Sequence, residues 1–220
     1  MTADLSSFLA PNRFVDSDHP AVIAYARAHS VPGAEPIDNA VALYLAVRDG
    51  FRYSPWQVHT TPEAYQASAV LARERPEGHC IDKAVLLAAA SRVLQIPSRL
   101  HFAIVRNHIG TEELEQQLGT DLLVFHGYVE LHLQGQWVSA TPAFNAALCA
   151  HLGVDPLEFD GRSDSIFQQF DKAGGRFMEY LHDYGGFSDI PFDLMISEWQ
   201  KHYPGFMRAG RWPSPGASAT

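Results

Sequence analysis

The chain has 220 residues, of which 46% are hydrophobic and 19% charged, enough apolar material to bury a sizeable core within one globular unit. Its 25 acidic residues outnumber 16 basic ones, for a formal charge of −9 with no Lys/Arg-rich run, which argues against nucleic acid as a partner. No stretch approaches the ~20 apolar residues that span a bilayer, and "MTADLSSFLAPNRFVDSDHP" has no basic start followed by an apolar core. The expectation is a cytoplasmic protein with no membrane partner. Cys80 and Cys149 fit no CxxC pattern and are too few for a disulfide framework, so both are expected as free thiols.

In chain order, Asp18 is placed to cap a helix from His19 to Ser30, and Asp38 a second from Asn39 to Asp49, with Gly50 as its left-handed stop. In "TTPEAYQASAVLARER", Thr61 as cap and Pro62 at the first helical position predict a third helix running toward Arg75. "CIDKAVLLAAASRVL", Cys80 to Leu94, is apolar on nearly every side and predicts a largely buried helix ended before Pro97.

The period then changes. "SRLHFAIV" and "LLVFHGYVELHL" read as strands, and Gln134-Gly135 turns the second into "QWVSAT" as a hairpin. Between the first two strands, "TEELEQQLG" predicts a short helix with a Thr111 cap and a Gly119 stop. Beyond Pro142 the signals weaken, but Phe, Tyr and Trp are too frequent for a disordered tail. The expected organisation is an N-terminal helical segment (1–37), a core (38–143), an extension packed on that core (144–207) and a flexible tail (208–220). The extension is expected to cover one side of a substrate cleft.

Candidate chemistry centres on "PEGHCIDKAV". A thiol in the first turn of a helix sits at the positive end of the backbone dipole, where free amides can stabilise a thiolate. A buried structural Cys is the bland alternative until a base is found. With eleven histidines, pairing by spacing alone leaves His79, His101, His108, His126 and His132 all open.

The order of blocks decides among them: Gly-x-Cys at a buried helix start, a strand, then the His-led hairpin "HGYVELHLQGQWVSATP". From about Asp38 to Pro142 this resembles the transglutaminase-like superfamily, whose core carries Cys, His and Asp in that chain order on a papain-like α+β scaffold. The resemblance implies Cys80 as nucleophile and His126 as base, with Glu130, Gly135 and Trp137 at framework positions. Thr141 stands where the orienting Asp is expected. A hydroxyl can accept a hydrogen bond from imidazole but carries no charge to stabilise an imidazolium. Asn145 is the alternative third member if the chain curls back after Pro142.

The functional expectation is a thiol-dependent hydrolase or acyl transferase acting on a peptide or small amide or ester through a Cys80 thioester, with no cofactor. A binding protein on the same scaffold, a zinc site built on His79, Cys80 and His126, and an acetyl-CoA-dependent acetyltransferase are the competing readings. Tyr53, Trp56 and Trp137 are assigned to packing rather than substrate contact, Cys149 to the core, and Glu130 and His132 stay outside the catalytic set.

Overall fold

A computed structural model describes residues 4–56, 58–108, 112–167, 175 and 178–205. The expected Thr111 cap and the 208–220 tail lie outside these. The described elements run α1 (Pro20–Ala28), α2 (Pro36–Gly50), β1 (Arg52–Tyr53), α3 (Ala67–Leu71), β2 (Glu77–Gly78), α4 (Cys80–Val93), β3 (Ser98–Asn107), α5 (Glu112–Leu118), β4 (Leu122–Leu133), β5 (Gln136–Ala140), α6 (Ala146–Leu152), β6 (Met178–Phe187) and α7 (Phe192–His202), with short 3-10 turns at Ser6–Phe8 and Pro62–Tyr65. This is an α+β fold in which α4 packs on an antiparallel sheet of order β5-β4-β3-β6.

Two helix starts differ from the sequence expectation. The ring of His19, not Asp18, caps α1 by accepting the Ala21 N–H. Helix α2 begins at Pro36, so Asp38 sits inside its first turn and Gly50 inside its last. In both, proline at the first helical position fixes φ and sacrifices no intrahelical bond, which sets the start more firmly than an acidic side chain nearby. The third expected helix is broken: a 3-10 turn over Pro62–Tyr65 gives way to α3, which stops at Leu71.

Helix α4 is the core of the molecule. Every residue from Ile81 to Arg92 is buried, because α1, α2 and α3 cover one side of it and the sheet covers the other. No polar stripe is needed on a helix surrounded in this way. Its two buried cations act as ties. Lys83 Nζ donates to the carbonyls of Arg48, Phe51 and Ala143 at 2.8, 2.7 and 2.7 Å, fastening α4 to the carbonyl end of α2 and to the chain beyond β5. Arg92 donates to the carbonyls of Ala10, Ser98 and Ser188.

The hairpin follows its turn chemistry. Gln134 and Gly135 both take positive φ, 49° and 86°, as a tight turn between right-twisted strands requires, and Leu133 pairs with Gln136. Strand β5 reaches only as far as Val129, leaving the first half of β4 without a neighbour on that side. Helix α7 supplies one: Trp199 Nε1 donates to the Val124 carbonyl at 3.1 Å, and the Tyr203 hydroxyl accepts the Val124 N–H at 2.7 Å. Strand β6, from the expected extension, pairs with β3 along Leu100 to Asn107 and completes the sheet. At the other end of the chain, Asp189 accepts the N–H groups of Phe14 and Val15. Both flanks of the core segment are thereby woven into a single hydrophobic cluster that includes Phe14, Val22, Leu87 and Trp199.

Candidate functional site

Three local choices fix the start of α4. His79 is the N-cap, and its ring accepts the Asp82 N–H at 3.3 Å while the Asp82 carboxylate accepts the His79 N–H at 3.0 Å, a reciprocal capping box. Asp82 has no exposed surface, and Arg73 grips both of its oxygens at 2.8 and 3.0 Å. Burial pushes this carboxyl up, but the His79 ring and the Arg73 guanidinium outweigh that and hold it well below the usual carboxylate range. Gly78 is required by space, since a Cβ there would lie 2.9 Å from Asp82 Cβ. Parallel pairing of β1 with β2 orients the approach and brings Tyr53 alongside. Cys80 is thus the first residue of a helix whose beginning is clamped on every side.

The sheet meets this point at Gly127. A Cβ on Gly127 would stand 3.1 Å from Ile81 Cα, so glycine is what lets β4 touch the first turn of α4. Two residues earlier the strand carries a bulge: Ala103 pairs with His126 and Ile104 with Val124, leaving Phe125 extra at φ 66°. A bulge re-aims the neighbouring side chain. His126 is 6% exposed and shares with Cys80 a cavity of about 50 Å³, closed by α5 through Leu114 and by Trp199 and Tyr203.

The electrostatics differ from the expectation of a thiolate favoured by the helix end. The Cys80 surroundings are apolar, and burial pushes the thiol up to about 11, although the N–H groups of Gly127 and Ile81 pull the other way. Burial, with His79 adding to it, pushes His126 down to about 4. Near neutral pH the pair is therefore a neutral thiol and a neutral imidazole. A buried ion pair needs a compensating charge, and Thr141, which the resemblance sets at the position of the orienting Asp, brings none.

Thr141 lies one step beyond the last hairpin pair, Val129 with Ala140, and its N–H donates to the Ser165 carbonyl at 3.0 Å. It is 1% exposed, and among the described residues its hydroxyl has no hydrogen-bond partner. His126 Nε2 and the Tyr180 hydroxyl are likewise buried and unpartnered. The Tyr180 ring, from β6, stands edge-on to His126 with centroids 6.2 Å apart, and its hydroxyl is close enough to that of Thr141 to influence it without reaching hydrogen-bond geometry. Two unsatisfied hydroxyls, those of Thr141 and Tyr180, thus lie near each other, with the Tyr180 ring beside His126. Asn145 is placed differently: its side-chain oxygen accepts the Tyr53 N–H at 3.0 Å and so docks β1.

Several assignments change on folding. Tyr53 lines the cavity of Cys80, and both Tyr53 and Trp56 line a neighbouring cleft, so neither is confined to packing. Trp137 does pack, against Phe8 and His132 and under the Arg99 guanidinium. Glu130 is held by Arg99 and by His101 Nδ1 at 2.8 Å, away from the cavity. Cys149 is a buried free thiol among apolar neighbours. Among the described residues, no group of three or more His, Cys, Asp or Glu side chains could hold a metal ion, and no helix is long and apolar enough to cross a membrane. Tyr180, Trp199 and Tyr203 were missed in the sequence because their approach to the cavity depends on β6 and α7 docking. Their only signal was the density of aromatics beyond Pro142.

The family model of the transglutaminase-like superfamily matches residues 23–142. The chain belongs to this superfamily. Among solved structures, it is similar to a proposed cysteine protease from Cytophaga hutchinsonii, with 16% identity, a TM-score of 0.50, and coverage of 85% of this chain and 55% of that one. It is also similar to the periplasmic domain of TgpA from Pseudomonas aeruginosa, with 22% identity, a TM-score of 0.39, and coverage of 56% and 42%. The chain thus spans about half the length of the Cytophaga protein. No curated protein sequence matches it. Membership of the transglutaminase-like superfamily supports a thiol-dependent enzyme in general terms.

Proposed function

We propose that the protein is a thiol hydrolase or acyl transferase acting on an amide or ester. The observation that carries this reading is the shared cavity, with Cys80 at a clamped helix start and His126 on the strand against it. Cys80 Sγ attacks the substrate carbonyl carbon while its proton passes to His126. The Cys80 N–H, at the open end of α4, is placed to receive the developing oxyanion. Collapse expels the amine or alcohol, which takes the proton from His126, and leaves a thioester. Water, or an amine acceptor, then attacks the thioester with His126 again taking a proton, and the thiol is regenerated. Because both groups start neutral, thiol deprotonation accompanies attack.

In this reading Thr141 supplies the hydroxyl that orients His126 through Nε2, with Tyr180 beside it. The weaker electrostatic support also suits a second reading, a binding protein on the same scaffold. A panel of activated esters, peptides and glutamine donors with amine acceptors, run against Cys80→Ala, separates the two. Turnover lost in the variant supports the enzyme. No acyl transfer to Cys80 from any substrate supports the binding protein.

Thr141→Asp tests the third position. A carboxylate behind His126 should raise the imidazole from about 4 and lower the thiol from about 11, because an imidazolium–thiolate pair then has a countercharge. The apparent thiol pKa read from iodoacetamide alkylation against pH should fall. An unchanged profile would mean that Thr141 does not reach the histidine.

A further inference from the structure

The Cys80–His126 cavity, at about 50 Å³, has room for a carbonyl and little else. Beside it lies a cleft of about 250 Å³ whose walls include Tyr53, Pro55, Leu114 and Leu123, the same four residues that line the smaller cavity. The two spaces are therefore neighbours that share a wall. The rest of the cleft presents an apolar side, Trp56 with Phe144, Leu148 and Leu152 on and before α6, facing a polar one. A closed apolar cavity of roughly 150 Å³ accepts benzene, so the cleft exceeds what one aromatic ring requires. Its polar walls, Asn107 and Glu113, are both engaged in interactions of their own.

We propose that this cleft binds a ring-sized apolar group on the acyl portion of the substrate. The inference rests on the thiol-acyl reading above and adds the substrate class. The acyl portion is the part that remains on Cys80 through the thioester, so a group seated in the adjoining cleft holds the intermediate in register for the second attack. Small acyl groups leave the cleft unfilled and forgo that burial.

The test is a series of p-nitrophenyl esters with one leaving group: acetate, butyrate, hexanoate and 3-phenylpropionate. Each methylene removed from water should raise kcat/KM by about threefold to fourfold, with 3-phenylpropionate well above acetate. Leu148→Asp places a charge in the cleft wall, away from Cys80 and His126, and should collapse the ratio of 3-phenylpropionate to acetate toward one. A second measurement does not depend on turnover. Calorimetric titration of Cys80→Ala with 3-phenylpropionamide should show binding that propionamide lacks and that Leu148→Asp abolishes. A flat ester series, or equal titrations of the two amides, overturns the proposal. If every ester is inert but the titration discriminates, the substrate class stands and the catalytic reading fails.

Discussion

Replacing His126 with Ala should lower turnover of any ester that acylates Cys80 by on the order of 10³-fold, the usual contribution of a positioned general base. The thiol it serves is held neutral by its apolar surroundings, with a pKa near about 11, so without an acceptor almost no thiolate exists at neutral pH. The wild-type rate should change little between roughly pH 5 and pH 9, because His126 is already deprotonated above about 4 and the thiol does not ionise by itself until far higher. Below that window the rate should fall as imidazolium forms, since a protonated ring cannot accept the thiol proton. A pre-formed ion pair would show a different profile, with activity tracking a low thiol pKa. His108, which pairs with Glu179 outside the cavity, is the control. Should His126→Ala retain most of the activity while His108→Ala loses it, the base has been misassigned.

Asp82→Ala should be the most damaging substitution for stability outside the hydrophobic core. It removes the half of the capping box in which the carboxylate accepts the His79 N–H, and leaves the Arg73 guanidinium, with a side chain only 15% exposed, facing an empty site. Breaking a buried ion pair from one side costs about 3–5 kcal/mol, which for a chain of this size corresponds to a fall in Tm on the order of 10 °C. The linkage has a definite sign. The folded-state pKa of Asp82 lies below its unfolded value, so the unfolded state binds the extra proton, and the stabilisation is complete above the unfolded value of 3.8 and is lost as pH falls below it. The loss continues down to the folded-state value, which lies well below pH 3, so the Tm gap between wild type and variant should be constant from neutral pH to about pH 4 and should only begin to narrow by pH 3. A Tm within 2–3 °C of wild type at neutral pH, on the order of 1 kcal/mol, would show that Arg73 finds another partner. Because Cys80 is two residues away, slower acylation in the surviving folded fraction is the accompanying expectation.

The blocks that carried the resemblance were legible because their information is local. Gly78 and Cys80 announce a helix start through the space a glycine leaves and the apolar run that follows, while the His79 cap came only from the structure. The Gln134-Gly135 pair announces a hairpin through positive φ. Apolar residues all around Cys80–Val93 announce burial. The register expected for the hairpin, Leu133 with Gln136, follows from its two-residue turn. Helix starts were misplaced where proline and an acidic residue competed, at Pro20 and Pro36, because the fixed φ of proline acts on the backbone itself.

Long-range contacts decided the rest. Nothing near His126 in the chain shows that Phe125 is a bulge residue, since that depends on how β4 meets β3. The charge states of Cys80 and His126 were set by desolvation, which depends on α5 and α7 closing over them and outweighs the helix-end effect that the sequence suggested. The same holds for the residues beyond Pro142. Their composition showed that they fold, while the placement of Tyr180 beside His126 and of Trp199 over the cavity came only from β6 joining the sheet and α7 covering the unpaired half of β4. Sequence by itself determined the scaffold and the place of Cys80 at a helix start, because turn signals and periodicity act within a few residues. Only the tertiary structure decided the protonation states and the shape of the cleft, because burial is a property of what packs from elsewhere in the chain.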